Sequence, residues 1–81
     1  MSQHIRMYGS KWCGDCRRAR NFLKEKGITY EDLDIDTDRA AAEFVMQRND
    51  GKRKVPTFEV DGRAFSSSPF DAEQVSRELG L

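Results

Sequence analysis

The strongest constraint on this chain is a change of period near its start. His4, Arg6 and Tyr8 alternate with Ile5 and Met7, so residues 3–8 carry the period of two that marks a strand. After Gly9-Ser10 the spacing becomes helical, with Cys13, Cys16, Ala19, Phe22 and Leu23 on one side and Arg17, Arg18, Arg20, Lys24 and Lys26 elsewhere. Gly27 follows Lys-Glu-Lys, a helix stop. Residues 28–35 read as a second strand with Ile28, Tyr30 and Leu33 facing the core. Asp36 or Thr37 is placed to cap a second helix carrying Ala41, Phe44 and Val45, which runs out near Asn49-Asp50-Gly51. Residues 55–60 form a third strand, Asp61-Gly62 is a hairpin turn, and Arg63-Ala64-Phe65 returns. A turn at Ser66-Ser67-Ser68-Pro69 precedes a closing helix from Phe70 to Leu79, with Ala72, Val75 and Leu79 inward. The expected order is β-α-β-α-β-β-α, an α/β fold whose first two strands are parallel and whose hairpin is antiparallel.

With 81 residues the chain suits one domain over 1–81, with a modest core. Its 14 acidic and 14 basic residues cancel, which removes any net attraction to nucleic acid or to an anionic membrane. No apolar run approaches the roughly 20 residues of a membrane span, and the opening residues lack the apolar stretch of a secretory signal. A cytoplasmic monomer is therefore expected. A lasting disulfide is not expected in that compartment, and a lone C-x-x-C there is catalytic or metal-binding.

The only two cysteines lie in Trp12-Cys13-Gly14-Asp15-Cys16. Zinc wants four ligands, whereas the chain adds only His4 at the far end of the first strand, so no metal site is expected. Two buried apolar cysteines would be the plain structural alternative. The motif, however, sits where a strand turns into a helix, and a helix N-terminus presents unpaired N–H groups and a positive dipole end that favour a thiolate. Cys13 is then the nucleophile, and Lys11 pushes the same way if its ammonium turns inward. Cys16, about one turn on, lies within disulfide reach and is the resolving thiol. Asp15 is expected to point to solvent.

Taken with Val55-Pro56-Thr57, the strand and the Trp-Cys-Gly-Asp-Cys motif make the chain resemble a glutaredoxin of the thioredoxin-like fold along nearly its whole length. The resemblance implies a four-stranded mixed sheet flanked by three helices, a cis Pro56 facing the cysteines, and a Val55 whose backbone pairs with a bound thiol. Gly14-Asp15 replaces the family's usual Pro-Tyr, and residues 66–71 replace its Gly-Gly-x-Asp, with Asp71 as the counterpart of the aspartate. A closer similarity is to the mycoredoxins, carried by residues 38–45, the approach from Gly51 to Pro56 and the Ser68-Pro69 turn. It implies reduction of mixed disulfides between proteins and mycothiol, bacillithiol or glutathione. The small thiol is a co-substrate and no cofactor is bound; the recycling reductase is unidentified. An NrdH-type redoxin, reduced by thioredoxin reductase and serving ribonucleotide reductase, is the second resemblance, although Phe65-Ser66-Ser67-Ser68 matches that group's Trp-Ser-Gly-Phe only in part. An iron–sulfur carrier is the alternative from another class.

Around the motif, Trp12 is expected on the rim of the site, and Lys11, Trp12, Val55, Pro56, Ser68 and Asp71 are the substrate-binding candidates. Lys52-Arg53-Lys54, before the proline, suits either an acidic partner or an ordinary solvated loop. Arg17 and Arg18 carry the same ambiguity. Arg20 reads as helix surface, and Tyr8, Phe22, Tyr30, Phe44 and Phe58 read as packing.

Overall fold

A computed structural model describes residues 4–81, so the part of the first strand expected at Gln3 lies outside it. The elements run β1 (Ile5–Gly9), α1 (Gly14–Glu25), β2 (Glu31–Asp34), α2 (Arg39–Arg48), β3 (Thr57–Val60), β4 (Arg63–Ser66) and α3 (Ala72–Leu79). The strand order is β2-β1-β3-β4; β1 and β2 are parallel, and the β1–β3 and β3–β4 pairs are antiparallel. This is the expected sheet and helix count.

Because side chains alternate along a strand, β1 serves two cores. Ile5 and Met7 join Phe58 and Val60 beneath Cys16, Ala19 and Leu23 of α1 and Val75 and Leu79 of α3. Tyr8, with Ile35, packs on Ala41 and Val45 of α2, and the half-buried Phe44 stacks on Tyr8 with ring centroids 4.6 Å apart. Helices α1 and α3 thus cover one face of the sheet and α2 the other.

Boundaries depart from expectation where a partner or a backbone donor is missing. Strand β2 starts at Glu31, where pairing to Arg6 begins; Ile28 and Tyr30 precede it and pack half-buried against the larger core. Strand β3 starts after Pro56, which has no N–H to give a ladder. Asp38, neither Asp36 nor Thr37, caps α2: its carboxylate accepts the Ala41 N–H at 3.1 Å. Asp36 is occupied elsewhere, taking a hydrogen bond from the Ser10 hydroxyl at 2.8 Å. Helix α3 starts two residues late because Asp71 caps it, which leaves Phe70 outside the helix and Ala72 exposed rather than inward. The hairpin is as expected: Asp61 and Gly62 have φ of 50° and 91°, the two positive values a tight two-residue turn requires.

Candidate functional site

The end of β1 and the head of α1 set the cysteine geometry. Cys13 occupies the N-cap position with extended backbone (φ −90°, ψ 115°), and its Sγ accepts the Cys16 N–H at 3.1 Å, as a serine or aspartate oxygen would. The Cys13 thiol also faces the Val55 carbonyl at 3.7 Å. Both cysteines are free; Cys13 is half-buried and Cys16 wholly buried. Burial, and after it the hydrogen bond to Cys13, push the Cys16 thiol up to about 12, while a backbone hydrogen bond from Ser10 and the charge of Arg20 pull the other way.

The close approach of α1 to β1 depends on Gly9. A methyl group there would lie 3.0 Å from Cys16 Sγ and 3.3 Å from Arg20 Nη2. Arg20 is therefore not plain helix surface. Its guanidinium, held by Asp32 through Nε at 2.8 Å, lies with Cys16 over the bare Cα of Gly9.

The facing wall is the turn before β3. The Val55–Pro56 peptide is cis, and Pro56 is fully buried. Thr57 anchors this turn: its hydroxyl donates to the Lys54 carbonyl at 2.7 Å and accepts from Asn49 Nδ2 at 3.2 Å. Asn49 Nδ2 also donates to the Val45 carbonyl at 2.7 Å, so the end of α2 and the proline turn share one polar joint. Arg53 ties the preceding loop to the other end of the site, donating to Asp36 Oδ1 at 3.0 Å and to the Ile35 carbonyl at 3.3 Å.

Residues 67–71 complete the site. The Ser67 N–H donates to the Pro56 carbonyl at 3.1 Å, and the buried Ser67 hydroxyl accepts the Asp71 N–H at 2.8 Å. The Ser68–Pro69 peptide is also cis. Asp15, expected to point to solvent, turns toward this loop instead. One of its oxygens accepts the Phe70 N–H at 3.1 Å and Arg18 Nη2 at 2.7 Å. The Arg18 guanidinium, then the Phe70 amide, hold the Asp15 carboxyl below the usual carboxylate range. Phe70 also packs edge-on against Phe22 of α1, with centroids 5.8 Å apart. An open groove of about 620 Å³ runs along this loop, lined by Lys54, Ser66, Ser68, Pro69 and residues 70–74.

Of the sequence candidates, Cys13, Cys16 and Val55 come together around the Cys13 sulfur, and Pro56 follows Val55 in the same turn. Ser68 and Asp71 lie on the neighbouring groove, where Asp71 also accepts the Glu73 and Gln74 N–H groups at 3.0 and 3.2 Å. Lys11 and Trp12 are exposed, and at 91% exposure the Trp12 ring stands clear of the protein, on the rim rather than in the core. His4 lies away from the cysteines, beside Glu31. Among the described residues no three His, Cys, Asp or Glu side chains converge as a metal site. No helix among them is long and apolar enough to cross a membrane. The sequence assigns Asp15 to solvent and Arg20 to helix surface, and gives no role to Asn49 or Ser67. Arg20 lies four residues after Cys16, the spacing that puts two side chains on one helix face. Nothing local distinguishes Ser67 from the serines beside it.

Known proteins resemble this chain in sequence and in fold. Mycoredoxin 1 of Corynebacterium glutamicum is 32% identical over 74 residues, covering 91% of each chain. A Mycobacterium tuberculosis protein named as a glutaredoxin is 37% identical over 75 residues, covering 93% of this chain and 88% of its own. Among solved structures, a thioredoxin-like protein superposes with a TM-score of 0.81 at 27% identity, covering 95% of both chains. The glutaredoxin family model matches residues 5–65, from the first residue of β1 into β4 and across both cysteines and the proline turn, and the chain belongs to the glutaredoxin family.

Proposed function

We propose that this chain reduces mixed disulfides between proteins and a low-molecular-weight thiol, with Cys13 as the nucleophile. The observation that carries this reading is the asymmetry of the two cysteines. Cys13 is accessible and receives the Cys16 N–H on its sulfur, a donor that stabilises negative charge there. Cys16 is sealed in the core with its thiol pushed up to about 12, so at neutral pH it is protonated and a weak attacker.

The Cys13 thiolate attacks the small-thiol sulfur of the mixed disulfide. A Cys13–S–S–R bond forms, the protein–small-thiol bond breaks, and the protein leaves as its thiolate. A second small-thiol anion then attacks the R sulfur, returning Cys13 as thiolate and releasing the symmetrical disulfide RSSR. The second thiol's sulfur is thereby oxidised to the disulfide level as the protein's sulfur is reduced to a thiolate. Cys16 offers the slower exit, attacking Cys13 with loss of its own proton and expelling R–S⁻. The burial and proton affinity of Cys16 support the first route.

Val55 and Pro56 form the wall opposite Cys13, where the Val55 backbone accepts an extended cysteine moiety as a strand accepts a neighbour. The groove past Ser68 and Asp71 receives the rest of the small thiol. Trp12 and Lys11 provide the exposed rim that meets the protein partner. Mycothiol, bacillithiol and glutathione are the candidate thiols, and a reducing cytoplasm is the compartment this chemistry fits.

The test is turnover of one model protein carrying each of the three thiols in turn, with wild type, Cys16→Ser and Cys13→Ser compared. The expected result is activity on at least one adduct that survives Cys16→Ser and disappears in Cys13→Ser. No activity on any adduct, with direct reduction by thioredoxin reductase, would replace this reading with the NrdH-type one.

A further inference from the structure

We propose that Asp15 sets thiol specificity: its carboxylate occupies the Phe70 N–H on the groove wall and a neighbouring guanidinium N–H, so the groove favours a thiol whose far end is uncharged and rich in hydroxyls over one bearing carboxylates. This inference rests on the small-thiol reading above. A ligand carboxylate is recognised by backbone N–H groups at a helix start or by a guanidinium. Here most of the donors nearest the motif already serve the protein. The Phe70 N–H and Arg18 both bond Asp15; the Asp71 N–H bonds Ser67; the Glu73 and Gln74 N–H groups bond Asp71. The Gln74 side-chain amide is also engaged, donating to the Ser66 carbonyl at 3.0 Å.

Charge on the lining points the same way. Lys54 shares the groove lining with the acids Asp71 and Glu73, and Arg18 spends one N–H on Asp15. An incoming carboxylate would have to displace Asp15 from Phe70 or lie against two acids. A hydroxyl has no such conflict, since it can donate to those same carboxylates and accept from Ser68. Asp15 lies between Cys13 and Cys16, so it fixes the groove wall directly to the redox motif.

The test uses Cys16→Ser protein, in which Cys13 is the one remaining thiol. It is equilibrated with glutathione disulfide or with the disulfide of glutathione diethyl ester, whose carboxylates are masked. Each equilibrium forms a Cys13–S–S–R bond and releases one thiolate, and intact mass gives its constant. The ester is expected to form the adduct several-fold more readily. Asp15→Asn keeps an oxygen for the Phe70 N–H but releases Arg18, and should shift the ratio toward the acid by about threefold to fivefold, the upper range for one exposed ion pair. Adding Arg18→Gln should remove most of that shift, and the remote Glu43→Gln on α2 should leave the ratio within about twofold. A ratio unchanged by Asp15→Asn, or an initial preference for the acid, overturns the proposal. Adduct formation is read without turnover, so the two ideas separate. Turnover absent with the ratio shift present defeats only the catalytic reading, and turnover present with no shift defeats only the role of Asp15.

Discussion

Gly9→Ala tests whether the site depends on the contact between β1 and α1. Ordinary van der Waals contacts of a Cβ fall at 3.4–4 Å, but here the new methyl would meet Cys16 Sγ at 3.0 Å and Cys16 Cβ and Arg20 Nη2 at 3.3 Å. Arg20 can swing away, because only the end of a flexible side chain is in the way. Cys16 cannot, being 0% exposed and surrounded by Met7, Ala19 and Phe58 of the same core. Overpacking of this kind costs about 1–3 kcal/mol. Replacing glycine returns about 0.4–1 kcal/mol by stiffening the unfolded chain. A net loss of about 1–2 kcal/mol is expected, with each kcal/mol lowering the melting temperature of a domain this size by about 4–8 °C. The assay is urea unfolding of the reduced protein. A double-mutant cycle adds the decisive comparison: in a Cys16→Ala background the Sγ contact is gone, and the cost of Gly9→Ala should fall by at least half. Gly9→Ala as stable as wild type, or equally costly in both backgrounds, would refute the packing argument.

Asp71→Ala should lose about 1 kcal/mol with the α3 cap, whereas Asp71→Asn, an equally good cap, should lose only a few tenths; thermal unfolding of both checks this. Asn49→Ala removes the joint between the end of α2 and Thr57 and should cost about 1–2 kcal/mol in urea unfolding, through the polar groups it leaves unpaired. The raised Cys16 thiol predicts a pH dependence: the folded state holds this proton more tightly than the unfolded chain, whose thiol has the ordinary value of 9.0. Stability from this source is complete below about pH 9 and lost as pH rises toward 12, so reduced wild type should lose stability between about pH 8 and pH 11 more steeply than Cys16→Ala, as urea midpoints at the two values will show.

How far the sequence carried can be traced to particular residues. The cysteine motif, the Asp61-Gly62 turn and the strand–helix alternation are local signals, and the structure reproduces the elements they mark. Element ends are set by partners that local pattern does not contain: β2 begins where Arg6 offers a register, and α3 begins where Asp71 caps it. The largest miss was Asp15. Its spacing inside a charged helix start suggests solvent, but its true partner is a backbone amide 55 residues away. Ser67 and Asn49 were hidden for the same reason, since each acts on a segment distant in the chain or across a turn. The cysteine pair was legible and the groove beside it was not, because the groove wall depends on contacts between the first helix and the loop that precedes the last.

The proposed mechanism depends on which sulfur of a mixed disulfide Cys13 attacks. Cys16→Ser protein mixed with a model protein carrying a small-thiol adduct, quenched with acid and weighed intact, answers this directly. Attack on the small-thiol sulfur predicts that Cys13 gains the mass of one small thiol while the model protein is released reduced. A covalent conjugate between Cys13 and the model protein, with the small thiol released free, would contradict it.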